Sequence, residues 1–153
     1  MKTIYLLLII LLACGTIKAN AQAKNAIGLG LGFSTSRENS NGYGGLLQGE
    51  IKITKAVSLI PYLGIEVPYI AHAGLSARYY FNKIIYASAG AFGHVDGDYS
   101  GIGGTGGVGF ILASGHHQTL DLNLHGDYLK KGDRALPVAG FRLIYSFSFT
   151  RLD

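Results

Sequence analysis

From residue 26 onward, apolar residues alternate with polar or very small ones. AIGLGLGF puts Ile27, Leu29, Leu31 and Phe33 on one side and Gly28, Gly30 and Gly32 on the other. LQGEIKI sets Leu47, Gly49, Ile51 and Ile53 against Gln48, Glu50 and Lys52, and YLGIEV sets Leu63, Ile65 and Val67 against Tyr62, Gly64 and Glu66. HAGLSARYYF sets Ala73, Leu75, Ala77, Tyr79 and Phe81 against His72, Gly74, Ser76, Arg78 and Tyr80. The pattern repeats in IYASAGAF, GVGFIL, LDLNLHGD and FRLIYSFSF. Period two means strands with two chemically different faces.

Eight such segments predict eight strands. Short turns are expected near residues 54–56, 82–83 and 114–118. Longer loops are expected near residues 36–44, 68–71, 95–103 and 129–137. Short turns at one end and longer loops at the other describe an all-β, antiparallel up-and-down barrel, with both termini at the short-turn end. Pro61 lacks the N–H that a ladder needs, so the third strand is expected to start at Tyr62 or to carry a bulge, and Pro68 to end it.

The contents of the two faces decide which one points outward. The apolar face carries no charge. The other is rich in Gly and Ser, and holds Glu50, Lys52, Glu66, Arg78, Asp121, Asp127 and Arg142 beside His72 and His125. Parity is free to differ from strand to strand, so only Glu50/Lys52 and Asp121/Asp127 test the separation independently, and both pairs fall on one side. A water-facing surface would carry long charged side chains throughout. Four carboxylates, three cations and two histidines among glycines instead suit a closed internal network in which each charge finds a partner. The apolar face then meets lipid, and the expected fold is a transmembrane barrel. At eight strands its lumen is only wide enough for side chains to fill.

Composition agrees. Only 14% of residues are charged, with 23 Gly and 10 Tyr in 153 residues, against roughly a quarter charged in ordinary soluble domains. The chain opens MKTIYLLLIILLACGTIKANAQA, with a basic start, an apolar stretch and small residues in A-x-A spacing. That is the layout of a secretory signal peptide over residues 1–21, cut after Ala21 or Ala23, with the barrel domain following over 24–153. Removal discards Cys14, the only cysteine, so no disulfide is available. A competing reading takes LLAC as a lipoprotein signal, with Cys14 lipidated instead. The full chain has 13 basic and 9 acidic residues. Without Lys2 and Lys18 the balance is 11 against 9, or +2, and no basic run points to nucleic acid.

Candidate chemistry is sparse. GIGGTGGVG (101–109) contains G-x-G-x-x-G at Gly101, Gly103 and Gly106, with Asp121 about twenty residues on. A dinucleotide site needs a helix starting among those glycines, and the sequence that follows is strand-like. The glycines are expected to end a loop and then line a crowded interior, and no cofactor is expected. DGDYSG (96–101) begins like a calcium loop, but Gly107 stands where the bidentate Glu belongs. His116 and His117 make an incomplete metal site. His125-x-Asp127 could pair a base with its orienter, yet no serine nucleophile is placed beside it. A loop ligand, if any, would meet Arg37, Glu38, Tyr43, Asp96, Asp98, Tyr99, Lys130, Lys131 and Arg134.

The signal peptide, the eight alternating strands and the final FRLIYSFSF together resemble the small eight-stranded outer-membrane barrels of Gram-negative bacteria, the OmpA/OmpX type, across nearly everything after residue 24. The resemblance implies location in the outer membrane, contact with its lipid, and a last strand read by the barrel-assembly machinery. Tyr145, Phe147 and Phe149 match that strand, although TRLD follows Phe149. The family's aromatic girdles would fall to Tyr43, Tyr69, Tyr79, Phe81, Tyr128 and Phe149. Some outer-membrane barrels modify lipid A, but the His-x-Ser of the deacylases is missing. Two other classes stay open: an exported soluble barrel holding a small apolar ligand, and a lipid A-modifying enzyme.

Overall fold

The computed structural model describes residues 23–37, 40–67, 70–97, 99–131 and 134–150. Residues 1–22, expected to be the signal peptide, lie outside them, as do Glu38, Pro68, Tyr69, Asp98 and residues 151–153. Eight strands run as β1 (Ala26–Arg37), β2 (Ser40–Lys52), β3 (Val57–Val67), β4 (Ile70–Tyr80), β5 (Ile85–Asp96), β6 (Tyr99–Ser114), β7 (Gln118–Lys131) and β8 (Arg134–Ser148). Each pairs antiparallel with its sequence neighbours, and β1 pairs with β8 to close the barrel. Closure leaves no open edge, which is what a sheet surrounded by lipid requires.

The alternation is realised as read. Leu29, Leu31 and Ile65 are 66%, 72% and 64% exposed, whereas Glu50, Arg78 and Asp121 are 3%, 3% and 0% exposed. The greasy face is outside and the charged face inside.

The strand ends differ from the sequence expectation. Most of residues 36–44, 95–103 and 129–137 are strand, not loop. Above the apolar band both faces leave hydrocarbon, so selection for alternation fades while backbone pairing continues. Arg37 still pairs with Ser40, Asp96 with Tyr99 and Lys131 with Arg134. The strands are 11–16 residues long, where about 9–11 suffice to cross a bilayer. Two residues separate the strands at each hairpin of this end, and one of them, Gly97, has φ 56°, a left-handed conformation that glycine accepts freely.

Two of the three opposite turns are set by side chains, and the third by the Gly115 N–H donating to the Gln118 carbonyl at 2.8 Å. The Thr54 hydroxyl accepts from the N–H groups of Ala56 and Val57 at 3.2 and 3.0 Å. Asn82 Oδ1 accepts from those of Ile84 and Ile85 at 2.7 and 2.8 Å. Such local acceptors stand in for a backbone partner and fix a tight reversal.

Pro61 lies inside β3, which begins at Val57. Pairing with β2 is interrupted between Tyr62–Gln48 and Leu59–Ile51 and resumes in the same register. The missing N–H therefore opens the ladder without a bulge. Pairing with β4 continues through Pro61–Leu75. The β6–β7 ladder does shift, between Ile111 and Ala113, at Leu112.

Aromatics mark both ends of the outer band. Phe33 stacks on Phe141 at 5.8 Å, with Tyr43 and Tyr128 exposed toward the same end. Tyr79–Phe81 and Phe147–Phe149 make edge contacts at 5.2 and 6.2 Å at the other. If the outward band meets acyl chains, Leu31→Arg, between these belts, should cost about 2–4 kcal/mol, and Ile53→Lys at the turn about 0–1 kcal/mol. Reversible urea unfolding from lipid vesicles measures both. Equal, near-zero costs would mean that the band does not face lipid.

Candidate functional site

The polar chemistry of this chain converges on the barrel interior, in two clusters at different depths. At the turn end, Arg78 on β4 is the hub. Its guanidinium lies 3.2 Å from Glu50 Oε2 and 3.8 Å from Asp121 Oδ2. It donates to Tyr80 Oη at 3.2 Å and sits 4.0 Å above the Tyr86 ring, within cation–π range. Both carboxylates are also held by hydroxyls. Tyr80 and Ser58 donate to Glu50 Oε1 at 2.7 and 2.8 Å, and Tyr86 donates to Asp121 Oδ1 at 2.8 Å. A buried charge survives only with such partners.

The other cluster lies toward the hairpin end. Arg142 donates to Asp127 Oδ2 at 2.9 Å, and His125 Nε2 is 3.6 Å from the same oxygen. Ser34 donates to Glu66 at 3.1 Å. The His72 ring meets the Tyr62 and Phe92 rings at 6.0 and 6.1 Å. His94, missed as an interior residue, lies 3.3 Å from the Lys130 carbonyl. Leu46, Tyr62, Phe92, Leu129, Val138 and Ile144 form an apolar cluster inside the barrel. A cavity of about 30 Å³ remains at mid-depth, lined by Gln48, Tyr62, Arg78, Asn123 and Arg142 among others. That is room for about one water molecule.

Lys52, expected among the interior cations, is exposed at the end of β2. It sits at the rim, where its ammonium reaches water. Its place is taken by Lys24, 2% exposed, whose ammonium donates to Thr119 Oγ1. Burial pulls the Lys24 pKa below its ordinary value, against the pull of Glu50 and Asp121 in the other direction. No alternation flags a residue ahead of the first strand, so this role leaves no mark in the residue pattern.

The glycines of 101–109 all lie within β6, so Gly101 and Gly103 do not belong to a loop. Across the β5–β6 ladder Tyr86 faces Gly109, Phe92 faces Gly103 and His94 faces Gly101. A Cβ at Gly109 would overlap the Tyr86 ring, and one at Gly103 the Phe92 ring. Glycine here is the space that bulky neighbours occupy, and no helix begins there to hold a phosphate.

The other candidates fall at separate places in the fold. Asp96 ends β5, and Asp98 lies outside the described residues. His117 accepts a structural role, with Nδ1 3.1 Å from the Ser148 carbonyl and its ring stacked on Phe147. Among the described residues no three His, Cys, Asp or Glu side chains gather as metal ligands. Of the expected loop residues, Tyr43 and Lys130 are exposed within strands, and Arg37, Tyr99, Lys131 and Arg134 stand at strand ends. Tyr145, Phe147 and Phe149 point outward and are 48%, 45% and 66% exposed.

Closed topology, an outward apolar band and an inward charge network define an eight-stranded transmembrane β-barrel. Comparison with solved structures returns the same architecture. The N-terminal β-barrel domain of Pseudomonas aeruginosa OprF matches 82% of this chain and 100% of its own, with TM-score 0.53 and 19% identity. A de novo designed transmembrane β-barrel matches 80% of this chain and 96% of its own, with TM-score 0.51 and 10% identity. No family model matches the sequence, and no curated protein does.

Arg78→Met should destabilise the barrel by about 3–5 kcal/mol by stranding two buried carboxylates. Adding Glu50→Gln and Asp121→Asn should return part of that loss, read as urea midpoints in detergent. Gly109→Ala should cost about 1–3 kcal/mol by overpacking, because Tyr86 is pinned between Arg78 and Asp121. Outward-facing Gly106→Ala, whose nearest neighbour would be the Ser88 carbonyl at 3.8 Å, should be neutral or stabilising in the same assay.

Proposed function

We propose that this protein is an outer-membrane β-barrel exported by its signal peptide, with a structural or surface-interaction role and no catalytic one. The observation that carries the reading is the segregation of faces, with lipid-compatible residues outside and a hydrogen-bonded ion network inside. Its partners are outer-membrane lipid and, through Tyr145, Phe147 and Phe149, the assembly machinery during biogenesis. The filled lumen argues against bulk diffusion through it. Contact with other molecules falls to the hairpin rim, where Tyr43 and Lys130 are exposed.

Two rival classes fit less well. A soluble barrel holding an apolar ligand needs an apolar cavity, whereas this interior holds Glu50, Arg78, Asp121, Asp127 and Arg142 and a cavity of about 30 Å³. A lipid A-modifying enzyme needs its base where acyl chains arrive. His125 and Asp127 are both 6% exposed and face inward, away from the lipid side.

Expression in a Gram-negative host tests the proposal. The protein should remain in the detergent-extracted envelope and migrate differently on gels before and after boiling. Reconstituted vesicles should stay impermeable to small sugars, and the host's lipid A acyl pattern should be unchanged. Recovery in the soluble periplasmic fraction would overturn the membrane reading. An acyl pattern altered by the wild type, but not by His125→Ala, would overturn the non-catalytic one.

A further inference from the structure

Both A-x-A sites, Ala19–Ala21 and Ala21–Ala23, satisfy the small-residue rule for signal removal, so sequence alone leaves two possible cuts. The folded barrel treats them differently. Ala23 is 5% exposed and packs with Tyr80 and Tyr86. Its N–H donates to the Lys55 carbonyl in the first turn at 3.0 Å. Lys24 reaches inward to Thr119 on β7. Asn25 then binds both neighbouring strands: its Oδ1 accepts from the Lys52 N–H and its carbonyl from the Phe149 N–H, each at 2.8 Å. Three residues thus tie the first turn, β2, β7 and the end of β8 across the mouth of the barrel.

We propose that signal removal cuts between Ala21 and Gln22, and that residues 23–25 remain as a built-in plug of the turn end. The inference rests on the export reading above. A cut after Ala23 would place a new α-ammonium on a residue 2% exposed. Lys24 Nζ and Arg78 already balance Glu50 and Asp121, so the added charge would be buried without a partner. The same cut would remove the N–H that satisfies the Lys55 carbonyl and the methyl packed against Tyr80 and Tyr86. A cut after Ala21 leaves Ala23 intact and moves the terminal charge two residues away.

The intact mass of the protein extracted from the outer membrane reads the cut. A mature chain beginning at Gln22, or at its cyclised pyroglutamate form, is expected. An outer-membrane chain beginning at Lys24, or at a lipidated Cys14, overturns this inference and leaves the export reading standing. An unprocessed chain retained in the cytoplasm overturns the export reading and this one with it. The plug is tested separately by refolding purified chains 22–153 and 24–153, each released from a tag with its native N-terminus, into detergent micelles. The shorter chain should show a folded-to-unfolded ratio about tenfold lower or worse, from one lost hydrogen bond and one unpaired buried charge. Equal urea midpoints would show that the mouth does not need the segment.

Discussion

Everything in this molecule answers to the narrowness of its cylinder. Eight strands enclose a lumen that side chains alone can fill, so whatever points inward competes for one small volume and has almost no water to solvate it. Two rules follow. Bulk entering from one strand must be met by near-absence of bulk on the next, and charge entering from one strand must be met by opposite charge from another. The first places Tyr86, Phe92 and His94 opposite Gly109, Gly103 and Gly101. The second gathers Glu50, Arg78 and Asp121 from β2, β4 and β7 into one contact set with Tyr80 and Tyr86.

These rules explain which features could be read from the chain and which could not. Alternation is a local property, and it identified the eight strands, their order and the inward side of each. The same logic fails where the environment stops being two-sided. Residues 36–44 and 95–103 lose their period because water replaces lipid outside the rim, although most of those described, such as Arg37, Ser40, Asp96 and Tyr99, stay in the ladder. Lys52 kept the inward parity of β2 yet reaches the rim, where parity no longer decides burial. Lys24 is the converse: it belongs to no strand, and only the closed fold brings it beside Thr119. Pro61 misled for another reason. A proline disrupts only the ladder its N–H would have joined, and β3 has a second ladder with β4 to hold its register.

The G-x-G-x-x-G of β6 shows the same limit from the side of chemistry. A motif states which residues are small, not why. In a phosphate loop smallness lets backbone N–H groups approach an anion at a helix start. Here four glycines, Gly101, Gly103, Gly107 and Gly109, lie beneath or beside side chains and backbone of β5 and β7. What distinguishes the cases is the partner across the ladder, which only the register supplies.

The charged interior has a further consequence that an apolar filling would lack. A barrel greasy on both faces would gain nearly as much from a ladder slipped by one residue, because either face would suit lipid. In a strand of period two, one slip exchanges every inward and outward residue. In β4 that exchange would turn Arg78 outward beside the Tyr79–Phe81 belt, where a cation costs about 0–1 kcal/mol, and would break its contacts with Glu50 and Asp121, leaving both carboxylates buried without their cation. Contacts would likewise be lost in β2, β3, β7 and β8, each of which carries at least one inward charge. Buried ion pairs seldom add more stability than well-packed apolar groups would. Their effect in this barrel is to make the wrong register expensive on five strands at once. The network therefore serves as the specification of the fold as well as the filling of its core.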